Sequence, residues 1–478
     1  RSSRTEYISS AYRGFASGDL HSPNYAMEVV VKPTLGEVTK RLLGVFGSLN
    51  YAYRSIYLFD VAGRVDGSSE FGKNRRFAPF WSLGAGINLH HCSFMKKGSA
   101  VDRLKVRMSY GQTGKVDFPA YCAISTYEVT LDDLYKTGSG VLMKTLGNPN
   151  LKWERTNTMD IGMELELFKG VLACNLSYYD SRTRDLITDV TIAASSGFPS
   201  YKDNLGEVRN RGIELSLSGN LINKSDIHLN VYGNLSHNRN RIMKISDALR
   251  EYNRKVDGYY GDYHEGLSDL KYTRPLLKYV EGGSLTAIWG MRSLGIDPST
   301  GKELFLGRQG TMTQEWKSGE QVVIGDYEPD VRGAFGFNVK YKGWTLFASF
   351  LYEFGGQRYN ETLVRKVENV DIAEENADRR VLLERWRKPG DKTFLKDIRN
   401  RELTRPTSRF CQDYNVLSWD AVSLGYDLDR IGTERLGIET MRLEWSMNDV
   451  FRFSSIKEER GISYPFARNM SLTLKISF

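Results

Sequence analysis

Short stretches in which hydrophobic and polar residues alternate recur along most of the chain. The last ten residues, NMSLTLKISF, show this alternation most clearly. On one side of an extended strand they would place Met470, Leu472, Leu474, Ile476 and Phe478. The other side would carry only Asn, Ser, Thr and Lys. Because successive side chains of a β-strand point to opposite faces, this period of two predicts a strand with one apolar and one polar face.

The same pattern predicts about thirteen strands, each long enough to cross a bilayer when tilted. They begin near Leu43, Tyr57, Pro79, Leu104, Met159, Val171, Arg211, Asp226, Ala334, Trp344, Tyr414, Leu436 and Asn469. A Lys or Arg that faces lipid costs about 2–4 kcal/mol at the bilayer midplane, whereas a watery lumen tolerates charge. Charges that fall on only one face therefore favour a transmembrane β-barrel. The segment from Trp344 is the least regular, because Phe347 and Leu351 fall on its polar face.

The connections between these segments alternate in length. Short links follow Tyr53 and Gly219 and precede Val171 and Trp344. The long links are DGSSEFGKNRR and residues 113–156, 181–210, 237–333 and 355–413. The link HHCSFMKKGSAV falls where a short turn is expected, but it is longer than the other turns. Transmembrane barrels have short periplasmic turns and long extracellular loops, a rule that soluble β-sandwiches have no reason to follow. The sequence therefore predicts an all-β protein with most of its chain in loops outside the bilayer.

The order of the predicted strands implies that this barrel is incomplete. If the last strand ends in the periplasm, the first clear strand, from Leu43, descends from the outer side and has no upstream partner. Bacterial single-chain barrels have even strand numbers, and an open edge in lipid leaves backbone groups unsatisfied at several kcal/mol each. We therefore expect the C-terminal portion of a large antiparallel transmembrane β-barrel. Residues 1–42 are expected to form an outer loop segment, and residues 43–478 the strands and their long outer loops.

The C-terminus has the form of a barrel-assembly signal. An amphipathic last strand that ends in an aromatic residue is suited to capture by outer-membrane assembly machinery, through addition of the strand to a sheet edge. Leu474, Ile476 and Phe478 fit this description. We therefore predict that these three residues form the assembly signal.

Composition excludes several other classes of protein. The 478 residues are 40% hydrophobic and 26% charged, with a mean hydropathy of −0.43. No apolar run approaches the roughly 18 residues of a spanning helix, so a helical membrane protein is excluded. The net charge of +8 is dispersed along the chain and usually balanced by nearby acids. This distribution is typical of a solvated surface rather than of a nucleic-acid site.

The sequence contains no recognisable catalytic or metal-binding group. The adjacent His90 and His91 would point to opposite faces of an extended chain, so a shared metal ion is not expected. Cys122 and Cys411 both fall in predicted outer loops, where a disulfide between them is an open alternative. There is no nucleophile motif and no acidic pair that sequence spacing brings together. The sequence therefore predicts no enzyme, no cofactor and no metal site.

Long strings of this chain resemble one known family. They include RVDGSSEFGKNRRFAPFWSLGAGINL, LGNPNLKWERTNTMDIGMEL, SSGFPSYKDNLGEVRNRGIELSL, DYEPDVRGAFGFN and YPFARNMSLTLKISF. In this order they resemble the C-terminal barrel portion of the SusC/RagA-like TonB-dependent outer-membrane transporters. The resemblance covers essentially the whole chain. It implies import of oligosaccharides or peptides across the bacterial outer membrane, without chemistry on the substrate.

The resemblance also implies a set of partners. These are a SusD-like surface lipoprotein that caps the barrel, TonB with ExbB and ExbD acting through an N-terminal plug, the barrel assembly machinery, and the lipid bilayer with its lipopolysaccharide. The plug and the early strands of the family are not recognisable in this chain. The open alternative is a passive porin or channel without energy coupling.

Substrate contact is expected in the long outer loops, because binding residues concentrate on loops held by a rigid scaffold. Sugars and peptides both favour aromatic platforms flanked by polar groups. The longest loop contains the candidates Tyr259, Tyr260, Tyr263, Trp289 and Trp316. The competing interpretation is that these aromatic side chains pack the loop itself, which is the more frequent role of such residues.

Overall fold

A computed structural model describes residues 1–15, 22–95, 100–115, 120–135, 138–191, 200–204, 206–264, 270–372, 377–428, 438–457 and 467–477. Within these residues the chain forms one large antiparallel sheet, four small sheets and one α-helix. No helix in the described residues is both long and apolar enough to cross a membrane. The predicted all-β class is confirmed.

Fourteen strands in the described residues build the large sheet, and each is hydrogen-bonded to the next one along it. They are β1 (Ser2–Arg13), β2 (Glu28–Tyr53), β3 (Tyr57–Ser68), β4 (Phe77–Asn88), β5 (Val101–Lys115), β8 (Glu154–Leu167), β9 (Leu172–Arg184), β12 (Glu207–Lys224), β13 (Ile227–Lys244), β19 (Val331–Tyr341), β20 (Trp344–Tyr359), β21 (Cys411–Asp427), β22 (Thr440–Ser454) and β23 (Met470–Ser477). All thirteen predicted strands occur in this sheet, and β1 is additional. Among the described residues β1 and β23 each pair on one side only, so the barrel is not closed.

The large sheet has one polar and one apolar face, as the alternation predicted. Leu215 of β12 pairs with Leu235 of β13 on one face, whereas the adjacent Glu214 pairs with Ser236 on the other. The apolar face is open to its surroundings, and Leu472 on β23 is 71% exposed. A continuous apolar surface of this kind is suited to lipid and not to water. We call the polar face the inner wall and the apolar face the outer wall.

The short connections are tight turns at one end of the sheet. Residues 54–56, 168–171, 225–226 and 342–343 join β2 to β3, β8 to β9, β12 to β13 and β19 to β20. Arg54, Ser55, Phe168, Lys169 and Lys342 adopt positive φ angles there. Such backbone geometry matches the twist of the flanking strands and allows a tight reversal. The opposite end carries the long loops 116–153, 185–206, 245–330 and 360–410.

One connection departs from the predicted alternation of lengths. The link between β3 and β4, predicted as a long loop around DGSSEFGKNRR, is reduced to residues 69–76 because both strands extend into it. The link between β4 and β5 at the other end, residues 89–100, is longer and contains a 3₁₀ helix, Leu89–His91. Loop length alone therefore does not distinguish the two ends at this position.

Residues 1–42, predicted as an outer loop segment, contain two strands in the part that the structure describes, β1 and the first part of β2. The two strands pair from Ser2 with Arg41 to Arg13 with Glu28. β2 has 26 residues, and only its second half pairs with β3. The sequence of β1, SSRTEYISSAYR, mixes polar and apolar residues on both of its faces, so it has no alternating pattern. Alternation of hydrophobic and polar residues therefore did not predict this strand.

The long loops contain their own secondary structure. The small strands are β6 (Thr126–Tyr135), β7 (Gly138–Thr145), β10 (Ile187–Thr191), β11 (Ser200–Asn204), β14 (Ala287–Gly290), β15 (Arg292–Ile296), β16 (Glu303–Leu306), β17 (Met312–Thr313) and β18 (Val322–Asp326). Short 3₁₀ turns lie at Pro23–Tyr25, Leu270–Thr273, Ser318–Glu320, Arg379–Leu382 and Ser408–Phe410, and a π-helical turn lies at Leu363–Glu368. The α-helix α1 (Asp247–Gly261) follows β13, and the side chain of Ser246 caps it by accepting a hydrogen bond from the Leu249 amide.

The buried core of the protein lies in these loops rather than in the wall. The loops 245–330 and 360–410 pack together around fully buried side chains such as Tyr260, Met291 and Phe410. We call these two loops together the loop assembly. They stand at the end of the sheet opposite the tight turns, so they cover the rim of the inner wall.

Candidate functional site

The inner wall carries a broad polar cleft that extends from β5 to β13, with a volume of about 800 Å³. The polar side chains that line it are Arg103, Arg107, Glu164, Glu166, Asn175, Ser177, Glu214, Ser216, Asn234 and Ser236. Charged groups, amides and hydroxyls of this kind are typical of the water-filled interior of a transmembrane barrel. The cleft is therefore suited to a hydrated, polar substrate.

Ion pairs connect β5 to β8 across this cleft. Arg103 pairs with Glu164 at 2.9 Å and with Glu166 at 3.3 Å. Arg107 Nη1 lies 2.5 Å from Asp160 Oδ1. These side chains are partly exposed, and exposed pairs typically contribute only about 0–1 kcal/mol to stability. Their main effect is to set a fixed pattern of opposite charges along the wall.

Gly162 makes room for one of these charged side chains. It lies directly opposite Arg107 in the pairing of β5 with β8. A Cβ atom at this position would lie 2.8 Å from the Arg107 Nε atom. The glycine therefore lets the guanidinium lie flat across β8 and reach Asp160.

A tyrosine crosses the inner wall over a second glycine. Tyr179 of β9 pairs opposite Gly212 of β12, and its hydroxyl donates a hydrogen bond of 2.9 Å to Asn238 Oδ1 on β13. A Cβ atom on Gly212 would lie 2.7 Å from the Tyr179 hydroxyl oxygen. The aromatic ring of Tyr179 thus lies across β9, β12 and β13 and narrows the space next to the inner wall.

The loop assembly is tied to the inner wall near the rim. Asn240 Oδ1 accepts hydrogen bonds from the Ser284 hydroxyl at 3.0 Å and from the Leu285 amide at 2.7 Å. Asn238 Nδ2 donates to Glu328 Oε1 at 3.1 Å. A cleft of about 580 Å³ lies at this junction between the wall and the loops. The loops are thereby held over the upper end of the polar path.

Four of the five aromatic candidates lie together in the loop assembly. Tyr260 and Trp316 are only 2% and 5% exposed, and their ring centres are 5.0 Å apart. Tyr259 and Tyr263 are half-buried and both pack against Tyr272, at 5.0 and 5.5 Å. Separations of this size are typical of favourable aromatic pairs. The structure therefore brings these four side chains into one cluster.

The polar atoms of the buried aromatic side chains donate hydrogen bonds to backbone carbonyls within the loops. The Tyr260 hydroxyl donates to the Arg274 carbonyl at 2.5 Å, and Trp316 Nε1 donates to the Pro406 carbonyl at 2.9 Å. Trp289 packs apart from the cluster, is 8% exposed, and donates from Nε1 to the Lys278 carbonyl at 3.1 Å. The side chains of Tyr260, Trp289 and Trp316 therefore stabilise the loop. Contact of the five aromatic candidates with substrate stays a prediction.

A buried charge cluster joins the two loops of the assembly. Arg409 Nη2 lies 2.7 Å from Glu303 Oε2 and 2.7 Å from Glu368 Oε1. All three side chains are at least 93% buried. Thr407 donates to Glu303 at 2.6 Å, and Thr404 donates to Glu368 at 3.2 Å. One guanidinium thus bridges two buried carboxylates that come from different loops.

The charges in this cluster stabilise one another. Burial alone would raise the pKa of Glu368, but the positive charges of Arg409, Lys396 and Arg385 outweigh it and lower that pKa. Burial would lower the pKa of Arg409, yet Glu368 and Glu303 raise it. The Glu368 carboxylate and the Arg409 guanidinium are therefore both charged at neutral pH. A buried pair of this kind is costly to break, because the remaining charge has no solvent around it.

Sequence reasoning missed the residues that form the inner cleft and the charge cluster. Alternation places Arg107 and Glu164 on the polar faces of their strands, which is a usable signal for lumen side chains. No comparable signal exists for Arg409 and Glu303, because they are 106 residues apart in irregular loops. Cys122 and Cys411 pack in different hydrophobic clusters and form no disulfide with each other.

The predicted assembly signal lies partly within the described residues. Leu474 and Ile476 are on the apolar face of β23 and are 51% and 40% exposed, while Phe478 lies outside the described residues. Capture by assembly machinery stays a prediction. In the described part of the chain, no group of three or more His, Cys, Asp or Glu residues is arranged to hold a metal ion.

Comparison with known proteins identifies relatives over most of the chain. A family model described as TonB dependent receptor-like, beta-barrel, matches residues 3–366. TonB-dependent receptor P3 of Formosa agariphila is 28% identical over 449 residues, which is 89% of this chain and 42% of the receptor. TonB-dependent receptor SusC of Bacteroides thetaiotaomicron is 31% identical over 214 residues, which is 43% of this chain and 21% of SusC.

Solved structures support the same fold. The RagAB peptide transporter matches 96% of this chain and 49% of its own chain, with a TM-score of 0.78 and 22% sequence identity. The same transporter in a closed state matches with a TM-score of 0.80. The chain thus spans about half the length of the solved structures it matches and less than half of the curated relatives. The predicted SusC/RagA-like resemblance and the barrel fold are confirmed.

Proposed function

This chain belongs to the TonB-dependent receptor-like β-barrel family, whose members are outer-membrane proteins, and we propose that it forms the wall and outer loops of a nutrient importer. The substrate class is oligosaccharides or peptides. The substrate enters between the outer loops, passes along the polar inner wall, and leaves on the side of the tight turns without being chemically changed.

The observation that carries this proposal is the continuous polar face that begins beneath the loop assembly. The cleft of about 800 Å³ combines ion pairs, amides and hydroxyls on four neighbouring strands, β8, β9, β12 and β13, with Arg103 and Arg107 of β5 at its edge. The opposite face of these strands is apolar. A surface of this polarity inside a lipid-embedded sheet has no structural purpose unless water and polar solutes occupy the interior.

We propose that energy coupling and a lid accompany this path. TonB with ExbB and ExbD would act through a plug, and a SusD-like lipoprotein would cover the loop assembly. The relatives support both ideas, since they are named TonB-dependent receptors, SusC among them, and one solved neighbour is the RagAB peptide transporter. The relatives are receptors rather than enzymes, so we propose binding and passage only.

We propose separate roles for the aromatic candidates. Tyr259 and Tyr263 are half-buried at the surface of the cluster, with Lys271 5.9 Å from the centre of the Tyr259 ring and Arg405 4.6 Å from the centre of the Tyr263 ring, and a sugar or peptide group can contact the part of each side chain that stays exposed. Tyr260, Trp289 and Trp316 are almost completely buried and hold those two residues and their loop in position.

The test is nutrient uptake in the native host. Deletion of the gene should abolish growth on one oligosaccharide or peptide source and leave growth on simple sugars unchanged. Inactivation of TonB should give the same defect. Uptake that depends on this gene but persists without TonB would contradict the importer and support the passive channel instead.

A matched pair of variants connects the growth test with the polar path. Ser216→Trp places a large side chain in the inner cleft and should slow uptake, whereas Leu217→Trp places the same side chain on the outer wall and should not. Both proteins should be present at the same level in the outer membrane. Equal uptake by the two variants would contradict passage along the inner wall.

A further inference from the structure

One region of the inner wall carries no charge. It lies on β12, β13, β19 and β20, which are consecutive strands of the large sheet. Its inward positions are the even-numbered residues of 216–220, 230–234 and 334–338 and the odd-numbered residues of 347–351. None of the side chains at these positions is charged. We call this region the neutral field.

Charged side chains border the neutral field at both ends. In the adjacent row toward the outer loops, Glu214, Arg332 and Glu353 point inward. Toward the tight turns, the next inward residue of β19 is Lys340. The field is about 13 Å high along the strands and about 14 Å wide across them, from the standard strand dimensions. It is therefore a limited area of the wall that can hold a short chain of sugar or peptide units.

Two apolar side chains lie in the neutral field on β20. Phe347 is paired with Asn338 and Leu351 with Ala334, so both point inward, and they are the irregularity that the sequence of this strand shows. Leu351 is 43% exposed and Phe347 is half-buried. An apolar side chain that faces a water-filled interior is unfavourable unless something covers it. These two residues therefore favour a ligand that has apolar parts of its own.

An aromatic ring also lies in the field and leans over a neighbouring strand. Tyr232 of β13 is paired with Gly336 of β19. A Cβ atom on Gly336 would lie 2.6 Å from the Tyr232 hydroxyl oxygen and 2.7 Å from its Cζ atom. The glycine thus gives the ring space against the wall, and the half-buried ring can still be reached from the lumen. The field therefore offers aromatic surface at two places, Tyr232 and Phe347.

Asparagine side chains surround the two aromatic residues. Asn234 Oδ1 accepts a hydrogen bond of 2.9 Å from the Ala334 amide, and Asn230 Nδ2 donates one of 2.9 Å to Asn220 Oδ1. The exposed Asn338 lies between Asn230 and Phe347 in the pairing of the strands. A carboxamide has two donor hydrogens and one acceptor oxygen. One contact thus orients each of these amides and leaves other groups of the same amide for a ligand.

The neutral field connects two clefts of the inner wall. The large cleft of about 800 Å³ includes Ser216 and Asn234 at one edge of the field. A second cleft of about 260 Å³ includes Asn220, Asn230 and Asn338 at the other edge. A substrate that moves along the inner wall from the outer loops to the tight turns can therefore cross the field between them.

We propose that the neutral field binds the sugar rings of an uncharged oligosaccharide. This proposal rests on the proposed function and names its substrate class. A pyranose ring has C–H faces that stack on aromatic side chains, and hydroxyl groups at its rim that exchange hydrogen bonds with amides. Tyr232 and Phe347 provide the aromatic surface, and Asn230, Asn234 and Asn338 provide the amides.

A peptide fits the neutral field less well. Peptides carry charged termini and often charged side chains, and a charge that leaves water without a partner is penalised. The inward charges of these strands, such as Arg332, Glu353 and Lys340, lie outside the field. An uncharged sugar chain has no charge to desolvate. The absence of charged side chains therefore favours an oligosaccharide over a peptide.

The first experiment measures binding by the protein extracted in detergent from the outer membrane of the native host. The ligands are neutral hexasaccharides of glucose, galactose, mannose and xylose, and hexapeptides of mixed sequence. The wild type should bind at least one hexasaccharide more tightly than the hexapeptides. Tyr232→Ala should weaken that binding by about three- to tenfold, because a stacking contact is lost. Asn338→Leu, which removes the amide and keeps the size, should weaken it by about two- to tenfold.

Two further variants separate stacking from general damage. Tyr232→Phe keeps the ring and should retain most of the affinity for the hexasaccharide. Tyr178→Ala removes a tyrosine from the outer wall on the neighbouring strand β9, where it is 37% exposed, and should bind as the wild type does. Equal melting temperatures would show that all the variants are folded.

A growth experiment separates this proposal from the proposed function. Tyr232→Ala should slow growth of the native host on the neutral oligosaccharide that the wild type binds. Growth that requires this gene and TonB on peptides, but on no neutral oligosaccharide, would leave the importer standing and overturn the neutral field as a sugar site. Growth that requires the gene on neither source would contradict both.

Three binding results would overturn the proposal. The first is that no neutral hexasaccharide binds, or that the hexapeptides bind more tightly than every hexasaccharide. The second is an unchanged sugar affinity of Tyr232→Ala, which together with a lower melting temperature would indicate that the field packs against a protein segment instead. The third is an equal loss of affinity in Tyr178→Ala, which would indicate a general effect on the wall.

Discussion

The wall and the loop assembly are stabilised in different ways. In the wall, each strand is paired with its neighbours and most side chains on both faces are exposed or half-buried. Lipid on one side and water on the other complete the structure. In the loop assembly, aromatic side chains and a charge cluster are buried as in a small globular protein. The wall therefore depends on its surroundings, whereas the loops depend on contacts within the chain.

This difference has a functional meaning. A wall built from regular backbone pairing gives a frame in which single substitutions on the polar inner face are expected to be tolerated. A loop assembly held by a few buried contacts can be reshaped for a new substrate without disturbing that frame. The substitutions below are chosen to affect one region and leave the other unchanged.

The largest effect is expected from Arg409→Ala. The substitution leaves Glu303 and Glu368 buried without their shared cation, and breaking a buried pair in this way typically costs about 3–5 kcal/mol. Hydrogen exchange should rise throughout the loops 245–330 and 360–410 and stay unchanged in β12 and β13. The exposed Arg250→Ala serves as the control, with an expected effect below about 1 kcal/mol. Faster exchange in the wall would show that the two regions are not independent.

A somewhat smaller effect is expected from a charge placed on the outer wall. Leu215→Arg puts a cation against lipid, which costs about 2–4 kcal/mol near the midplane, and should reduce the amount of folded protein in the outer membrane. Ser216→Arg adds the same side chain to the polar inner wall and should be tolerated. The two variants are compared by their yield of folded protein after membrane extraction. Equal yields would contradict the assignment of the two faces.

A moderate effect is expected from Tyr260→Phe. The change removes only the hydroxyl that donates to the Arg274 carbonyl and accepts from the Leu276 amide, and leaves a buried carbonyl without a donor, at about 1–2 kcal/mol. Exchange should increase in α1 and in residues 270–276. The exposed Tyr25→Phe provides the matched control. No change in α1 would mean that the hydroxyl does not hold the loop.

The smallest effect is expected at acidic pH and concerns the stability that Glu368 gives to the folded loops. Because the pKa of Glu368 is lowered in the folded loops, its contribution to stability is complete above the ordinary Glu pKa of 4.5 and is lost as the pH falls through the lower folded value. Hydrogen exchange in residues 360–410 should therefore increase below about pH 4.5. Glu368→Gln should flatten this pH dependence. If hydrogen exchange in residues 360–410 had the same pH dependence in the wild type and in Glu368→Gln, the proposed role of Glu368 would be contradicted.

The same contrast explains what the sequence could predict. Alternation located every strand of the large sheet except β1, because a strand between lipid and water must have two different faces. It failed for β1, because both faces of this strand mix polar and apolar residues. It could not find the contact of Trp316 with Pro406, because 90 residues separate them and nothing in either segment is periodic. The candidates Tyr260 and Trp316 were identified as aromatic loop residues, but their burial depends on such distant partners.

The most direct test of the whole account is a cysteine scan of residues 213–218 on β12, made in a chain whose four native cysteines are replaced by serine. In intact outer membranes, a small water-soluble thiol reagent should modify cysteines at 214, 216 and 218, which lie on the polar inner wall. Cysteines at 213, 215 and 217 should react only with a lipid-soluble reagent. Labelling that does not alternate along the strand would contradict a polar path on one face and lipid on the other.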